Sequence, residues 1–352
     1  MPDVNLTDHS GCAVVDAGDI ACALITSPAD ITAIAGEWDH LLDASDCNRA
    51  FSSHAWYRAA CAAYPGIEPS VIIARADGRL VGILPLVLDT GTGQGRFPTP
   101  LADYSDAIVA VGDIPVAALM LRHALSAGMP WDGLMLNFVR EDANVIRGVV
   151  ESGPPHRIEW HANERWTCAY QELPAGYDDF LASRSRNFRK GIGRARRAAE
   201  VAGLMVEELT PEMLNPDDLP GIFLRLHGDR FPESSLLSGS HRPFLESVLP
   251  SLFAERRLLV FAMRRGDAIL AIDLCMVGAR SLCTWNGGFD AAVEELSPGR
   301  LIIDAGIRSA CGRGCAEYDM MRGLEPYKLE WAGSRRLLGK VMIGEHYQHG
   351  EA

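Results

Sequence analysis

The chain has 352 residues and a formal net charge of −13, with 48% hydrophobic and 22% charged residues. This composition is that of a globular protein and excludes a disordered tail or a bundle of membrane helices. The negative charge argues against a general binder of nucleic acid or anionic membranes, because neutralising phosphates requires clustered Lys and Arg. Single hydrophobic cores stop growing at about 250 to 300 residues, so the length favours two domains.

The start of the chain and its cysteines predict a soluble, cytoplasmic protein. The first ten residues, MPDVNLTDHS, lack the basic and apolar regions of a signal peptide. No uncharged apolar run reaches the ~18 residues of a spanning helix. The nine cysteines are scattered and odd in number, unlike a disulfide framework. No His or second Cys pair lies near Cys311 and Cys315, so we expect no metal site.

The first predicted elements are two strands, residues 70–78 and 79–86, joined at an Asp-Gly turn. An amphipathic helix is predicted over residues 116–127, and an apolar strand over residues 133–138. These elements, a hairpin followed by a helix and a strand, describe a mixed α/β domain.

The same order recurs about half a chain later. Residues 258–266 and 268–276 form a second predicted hairpin, again with Gly at the turn. A helix over 299–311 and a strand over 316–321 follow it. A repeated order of elements predicts two related domains of mixed α/β type.

We place the domain boundary between residues 165 and 166, which gives domains over 1–165 and 166–352. No low-complexity or Pro-rich linker separates them, so the two domains are expected to pack against each other. A cleft between domains is a usual place for a ligand.

A basic segment lies at the start of the second half. Residues 184–197 contain seven basic residues and no acidic residue. On a helix, Arg186, Arg189 and Lys190 would share one stripe, although the two glycines of the segment weaken a helix. We expect the stripe to meet phosphates of CoA, of an acyl carrier's phosphopantetheine, of a nucleotide sugar or of a tRNA end. The alternative is a solvated face balanced by acids elsewhere.

The run Ser297-Pro-Gly-Arg300 precedes the second predicted helix. Ser297 suits the N-cap, and Pro suits the first helical position. The free N–H groups of Gly299 and its neighbours, with Arg300 beside them, would hold a phosphate or pyrophosphate. The alternative is an ordinary helix start.

The strand over 316–321 runs into a cluster of charges. Strand alternation puts Asp319 and Met321 on one face and Arg322 on the other. The charged residues expected to gather at the strand end are Asp319, Arg322, Glu325 and Lys328.

These motifs resemble those of the BioF2-like or CelD-like acetyltransferases, relatives of the FemABX peptidyltransferases within the GNAT superfamily. The motifs that carry the resemblance are Ser297-Pro-Gly299, Asp319-x-x-Arg322-Gly, Glu325-x-Tyr327-Lys328 and Trp331. The resemblance extends to residues 185–190, Leu226-His227, Arg230, Trp56, the strand 82–86 and Asp103-Tyr-Ser-Asp106. It therefore covers nearly the whole chain.

The resemblance implies two tandem GNAT-like domains and transfer of an acyl group to an amine. In the Fem relatives, a lysine at the position of Lys328 is held to stabilise the transition state. Acyl transfer passes through a tetrahedral species with a negative oxygen, so a fixed cation aimed at that oxygen lowers the barrier. We assign this role to Lys328, beside Tyr327. The alternative is a surface lysine paired with Glu325 or Glu330.

An amine must be neutral to attack, so a nearby proton acceptor is useful. His227 has a suitable ordinary pKa. Asp273 interrupts an apolar strand, and Asp319 lies in the charged cluster; either carboxylate could be a base or a hydrogen-bonded structural group. The residues expected to bind substrate or co-substrate are Arg322, Glu325, Ser297, Gly299, Arg300, Arg186, Arg189, Lys190 and Arg230.

Three functions fit these residues. The first is an N-acyltransferase that uses acyl-CoA or an acyl carrier protein as co-substrate and acylates an amino sugar, a long-chain amino alcohol such as a sphingoid base, or a small amine. The second is a Fem-like transferase that uses aminoacyl-tRNA, and the third is a non-catalytic GNAT-like binding protein.

Three features of the sequence weigh on this choice. The chain lacks the long helical insertion of several Fem proteins, and it also lacks the usual GNAT pyrophosphate loop. The charged motif around Asp319 and Lys328 argues against a non-catalytic scaffold. We expect no DNA partner, and contact with a membrane surface only if the acceptor is a lipid.

Overall fold

The computed structural model describes residues 20–99, 101–152, 154–344 and Tyr347. This part of the chain divides into two compact units. Among the described residues, the N-terminal unit runs to Cys168 and also includes Arg322–Leu324, residues 335–344 and Tyr347. The C-terminal unit comprises Ala169–Met321 and Glu325–Ser334. No helix among the described residues is long and apolar enough to cross a membrane.

The N-terminal unit contains a mixed sheet covered by helices. Its strand order is β1-β2-β3-β4-β6-β14, with β5 beside β3 and β7 beside β14. Its elements are β1 (Ile20–Ile25), α1 (Pro28–Ala33), α2 (Ala35–Asp43), α3 (His54–Ala63), β2 (Ile67–Ala76), β3 (Arg79–Asp89), β4 (Gln94–Arg96), β5 (Ile108–Val109), α4 (Ile114–His123), β6 (Leu134–Arg140), α5 (Asn144–Ser152), β7 (His156–His161) and β14 (Ser334–Ile343).

Strand β3 is buried on both faces, which explains its continuous apolar sequence. Leu84 and Leu86 belong to a core cluster that includes residues of α4 and α5. Ile83 and Val87 point to the opposite face and belong to a cluster with residues of α2 and α3. Because successive side chains of a strand point to opposite faces, β3 contributes to two separate cores.

The C-terminal unit contains a second mixed sheet, with strand order β8-β13-β12-β11-β10-β9. Its elements are β8 (Thr167–Glu172), α6 (Tyr177–Ser183), α7 (Arg186–Val201), β9 (Met205–Leu209), α8 (Leu219–Arg230), α9 (His241–Ala254), β10 (Leu258–Arg265), β11 (Ala268–Val277), β12 (Ser281–Phe289), α10 (Pro298–Gly312), β13 (Glu317–Arg322) and α11 (Pro326–Trp331).

The two units repeat one order of elements, and the predicted mixed α/β fold with two hairpin-helix-strand repeats is confirmed. In each unit, four successive strands pair antiparallel and the last of them pairs parallel to a fifth strand after a helix. The fifth residues of β6 and β13, Phe138 and Met321, both have positive φ values, 60° and 59°. The repeat thus extends to a local backbone feature.

Strands β12 and β13 separate soon after they meet. They pair only through Ser281–Cys283 and Glu317–Asp319, although β12 continues to Phe289. The register of β12 against β11 shifts at Trp285, where β12 carries one extra residue. A bulge of this kind bends a strand and increases its twist. The result is a gap between the two strands on the C-terminal side of their pairing.

Gly288 on β12 lies against the backbone of α8. A Cβ atom at this position would overlap the carbonyl of Leu226 and the amide of His227. Gly288→Ala is therefore expected to displace α8 and to destabilise the protein by about 1 to 3 kcal/mol, the usual cost of overpacking. Denaturant unfolding followed by circular dichroism measures the change.

The matched control is Gly221→Ala on the exposed side of the same helix, where a Cβ would meet no atom within 4 Å. This change should stabilise the protein by about 0.5 to 1 kcal/mol, since Ala favours a helix more than Gly. Equal stabilities of the Gly288→Ala variant and the wild type would contradict the close approach of α8 to β12.

Candidate active site

A cavity of about 390 Å³ opens in the C-terminal unit, next to the gap between β12 and β13. Strands β11 and β12, the end of α8 and the first turns of α10 and α11 contribute its walls. Its volume is within the usual range of small-molecule sites, about 300 to 1,000 Å³. The polar side chains that line it are Arg230, Asp273, Thr284, Arg300, Tyr327 and Glu330.

Asp273 is the buried carboxylate of this cavity, with 9% of its surface exposed. Its Oδ2 atom accepts hydrogen bonds from Thr284 Oγ1 at 2.7 Å and from Cys275 Sγ at 3.2 Å. Burial raises the pKa of Asp273 to about 6, although these two hydrogen bonds and the charge of Lys328 lower it. A carboxylate with such a pKa is ionised at neutral pH and can still accept a proton during a reaction.

The strand opposite Asp273 leaves room for its carboxylate. Gly287 is its cross-strand neighbour on β12. A Cβ atom on Gly287 would lie 2.7 Å from the carbonyl oxygen of Ile272 and 3.0 Å from Asp273 Oδ1. Any larger residue at this position would therefore push against the carboxylate.

Lys328 on α11 is a buried cation, with 8% of its surface exposed. Its Nζ atom lies 3.1 Å from Oε2 of Glu325, which is mostly exposed. The side chain is not among those that line the cavity, yet its charge acts on Asp273. The alternative expectation therefore holds for the pairing with Glu325 but not for a surface position, and Glu330 pairs with Arg300.

Tyr327 lines the cavity and remains 53% exposed. Burial, together with the charges of Glu325 and Asp273, raises the pKa of Tyr327, so its hydroxyl keeps its proton at neutral pH. It can therefore donate a hydrogen bond to a group inside the cavity.

Asp319 is fully buried on β13. Its Oδ1 atom accepts a hydrogen bond of 2.7 Å from the backbone N–H of Met321. The predicted alternation of faces ends at Met321, because the positive φ of that residue interrupts the extended strand. Asp319 is not among the cavity residues, and it stabilises this turn of the backbone.

His227 is buried in α8, and both of its ring nitrogens are occupied. Nδ1 lies 2.9 Å from the carbonyl oxygen of Gly287, and Nε2 lies 2.8 Å from Ser234 Oγ. A carbonyl oxygen only accepts, so Nδ1 carries the hydrogen and Nε2 accepts from the hydroxyl. Burial lowers the pKa of His227, which keeps the ring neutral. The structure does not place His227 among the cavity residues.

The start of α10 contributes Gly299 and Arg300 to the cavity. Ser297 occupies the N-cap position, but the expectation of a side-chain cap is wrong. Its backbone is left-handed, with φ 57° and ψ 53°, and its hydroxyl makes no capping bond. A capping side chain needs an extended backbone at this position. The N–H groups of the first turn are thus left without a side-chain cap.

Arg300 connects the cavity with the basic helix α7. It forms an ion pair with Glu330. A Cβ atom on Gly191 of α7 would lie only 2.8 Å from Nη1 of Arg300. Gly191 therefore makes room for the guanidinium inside a helix that a glycine otherwise weakens. Arg300 and Glu330 also line a shallow depression of about 440 Å³ at the start of α7, beside Arg184.

The basic residues of α7 have different surroundings. Arg186 and Lys190 are exposed. Arg189 donates to the backbone carbonyls at the end of α6, at 2.5 Å to Arg184 and 3.1 Å to Ala182. Arg196 pairs with the buried Asp304, with Nη2 and Oδ2 2.6 Å apart. Only some of the basic residues are therefore available to a ligand.

Arg322 lies in the N-terminal unit. Its Nε atom contacts Oδ1 of the buried Asp103, and its guanidinium carbon lies 3.9 Å from the centre of the Phe138 ring. Arg322 is not among the cavity residues. Its contacts are those of a residue that fixes the loop after β13.

The comparison with protein families adds to this geometry. The family described as an acetyltransferase (GNAT) domain matches residues 186–329, which include α7 to α10, β13 and most of α11. Most residues that line the cavity, among them Asp273, Arg300 and Tyr327, lie within this matched range. No curated protein matches the chain.

Solved structures resemble the chain in fold at low sequence identity. FemX is 11% identical, with a TM-score of 0.62 over 93% of this chain and 98% of its own. The C-terminal domain of a putative lysylphosphatidylglycerol synthetase from Agrobacterium fabrum is 10% identical, with a TM-score of 0.59 over 90% and 93%. L-PGS from Bacillus licheniformis is 10% identical, with a TM-score of 0.55 over 91% and 92%. These matches concern the fold.

Sequence reasoning missed several residues of the cavity. Thr284 and Glu330 are polar residues of a kind that occurs throughout the chain, and nothing local marks them. Gly287 and Gly288 did carry a signal, since two glycines inside a strand often mark a close approach of backbone or ligand.

Proposed function

We propose that the protein transfers an acyl group from a thioester to an amine in the cavity of its GNAT domain. The observation that carries the proposal is Asp273, a cavity carboxylate with a pKa of about 6 on which the charge of the buried cation Lys328 acts. A pair of groups of opposite charge at one site supplies a proton acceptor and a stabiliser of developing negative charge.

The proposed donor is acyl-CoA or the phosphopantetheine of an acyl carrier. Its phosphates would bind the first turn of α10, where the N–H groups lack a side-chain cap and Arg300 adds a positive charge. The thioester arm would then extend into the gap between β12 and β13. Such donors agree with the cytoplasmic location expected from the sequence.

The proposed reaction begins when the amine nitrogen attacks the thioester carbonyl carbon. Asp273 accepts the proton that the nitrogen loses, and the charge of Lys328 stabilises the negative oxygen of the tetrahedral species. The carbon–sulfur bond then breaks, the Tyr327 hydroxyl donates a hydrogen bond to the departing sulfur, and the sulfur takes a proton from solvent. Solvent then removes the proton from Asp273. The products are an amide and a free thiol.

Binding and turnover test this function separately. Native mass spectrometry measures binding of acetyl-CoA, a long-chain acyl-CoA, an acylated carrier protein and an aminoacyl-tRNA to the purified protein. Thiol release is then followed with an amino sugar, a sphingoid base, a small amine, an amino acid and an amino phosphate as acceptors. We expect a thioester to bind and to release thiol only with an amine present. Transfer from aminoacyl-tRNA alone, or no transfer from any donor, would contradict the proposal.

The basic residues of α7 provide a further prediction. Arg186→Gln and Lys190→Gln are expected to raise the Michaelis constant for the donor and to reduce its salt dependence, because both side chains are exposed. Turnover should change little. Steady-state kinetics at several salt concentrations measure both effects.

Arg189→Gln is the matched comparison on the same helix. Its guanidinium is already bound to carbonyls of α6, so its loss should lower the melting temperature and leave the Michaelis constant nearly unchanged. If Arg186→Gln and Lys190→Gln leave the Michaelis constant and its salt response unchanged, the exposed part of α7 is a solvated face.

A further inference from the structure

Arg230 is held at the cavity by two aromatic rings. It is the last residue of α8 and lines the cavity next to Phe231. Its guanidinium carbon lies 5.3 Å from the centre of the Phe231 ring and 5.2 Å from the centre of the Phe289 ring. Contacts of a guanidinium with ring faces fix its position and leave its N–H groups free to donate.

No carboxylate among the described residues pairs with Arg230. Two neighbouring arginines have acidic partners. Nη1 of Arg225, on the same helix, lies 3.8 Å from Oδ2 of Asp229, and Arg300 pairs with Glu330. Arg230 differs from these two neighbours, because it is exposed without an acidic partner in the described part of the chain and faces the cavity.

Besides the Arg300–Glu330 ion pair, the cavity thus offers two groups of opposite charge that are not paired with each other. Asp273 supplies the carboxylate, and Arg230 supplies the guanidinium. The hydrogen bonds given to the Asp273 carboxylate come from Thr284 and Cys275. A cavity of this kind is complementary to a molecule that carries both an amine and an anionic group.

We propose that Arg230 binds a carboxylate or phosphate group of the amine acceptor. This inference rests on the proposed acyl transfer, in which the amine of the acceptor approaches Asp273. The phosphates of the donor have a separate place at the start of α10, whereas Arg230 and Phe289 belong to the wall formed by α8 and β12. The acceptor is accordingly an amino acid or an amino phosphate rather than a neutral amine.

Matched pairs of amines test this inference by equilibrium binding. The pairs are butylamine and 4-aminobutyrate, ethanolamine and O-phosphoethanolamine, and glucosamine and glucosamine 6-phosphate. In wild type, the anionic member of at least one pair should bind about 10 to 100 times more tightly, as expected for hydrogen bonds to charged groups. The carboxylate and phosphate pairs distinguish the two anionic groups.

Arg230→Gln should remove this preference. The matched control is Arg225→Gln, which lies on the same helix and outside the cavity lining and should keep the preference. Equal binding within every pair, or binding of neither member, would overturn the inference. A preference that survives in Arg230→Gln, or a loss of acyl-CoA binding in that variant, would overturn it as well.

The wild-type transfer assay separates this inference from the proposed function. Efficient acylation of neutral amines with no gain from an anionic group would overturn the role of Arg230 and leave the function standing. Absence of transfer with every thioester donor and every amine would overturn the function itself.

Discussion

Lys328→Met is expected to lower turnover by about 10² to 10³, the usual effect of removing one preorganised donor to an oxyanion. Binding of the donor should remain nearly intact, because the lost charge acts mainly in the transition state. Met has a similar length and fits a buried position, so the fold should be retained. Steady-state kinetics and native mass spectrometry measure turnover and donor binding in the same preparation.

The pH profile gives the second readout for Lys328. The charge of Lys328 lowers the pKa of Asp273, so its removal should raise that pKa and move the acidic limb of turnover to higher pH. Lys328→Arg keeps the charge, and its limb should stay near that of wild type, although the broader guanidinium should still reduce turnover.

Lys340→Met on β14 is the control, since this lysine lies in the N-terminal unit and not at the cavity. It should leave turnover and the limb unchanged. The proposed role of Lys328 fails if Lys328→Met keeps more than about a tenth of wild-type turnover, a loss below that expected for such a donor.

The sequence predicted the repeated fold because its signals are local. The hairpins at 70–86 and 258–276 depend on apolar runs and turn glycines, and the structure places β2, β3, β10 and β11 there. The short returns of the chain to the N-terminal unit, at Arg322–Leu324 and after Ser334, have no such signal. They depend on contacts such as Arg322 with Asp103, which are 219 positions apart in sequence.

The candidate site was predicted less completely than the fold. The sequence offered three bases and no means to choose, because the choice depends on distant partners. His227 is occupied by the carbonyl of Gly287, 60 positions away, and Asp273 is exposed to the cavity by the pairing of β11 with β12. The bulge at Trp285 is set by how β12 pairs with β11. The spacing of residues in the sequence does not reveal that pairing.

The charged cluster after β13 shows the same limit. The sequence placed Asp319, Arg322, Glu325 and Lys328 together at one strand end. In the structure, Glu325 and Lys328 form a pair, Asp319 binds the backbone of Met321, and Arg322 binds Asp103. Their proximity in sequence predicted that the four charged side chains would gather. The positive φ at Met321 interrupts the strand between Asp319 and Arg322, and these two side chains bind different partners.

Asp273→Asn is expected to lower turnover by about 10² to 10⁴, the range for loss of a positioned proton acceptor. Asn keeps the size of the side chain and can still accept the hydrogen bond from Thr284. The wild-type carboxylate has a pKa of about 6 and must be deprotonated to act, so wild-type turnover should fall as the pH drops through about 6. In the variant this limb should be absent, leaving only the limb of the amine substrate.

Two further variants make this result specific. Thr284→Val removes a hydrogen bond that lowers the pKa of Asp273, so the acidic limb should move to higher pH while turnover at high pH is largely kept. Asp106→Asn alters a half-buried carboxylate in the N-terminal unit, whose pKa desolvation raises to about 7. There Asp106 accepts from the N–H groups of Asn144 and Val145, so this change should lower thermal stability and leave the limb near pH 6 in place. An unaltered limb and near-normal turnover in Asp273→Asn would exclude Asp273 as the base, whatever the other two variants do.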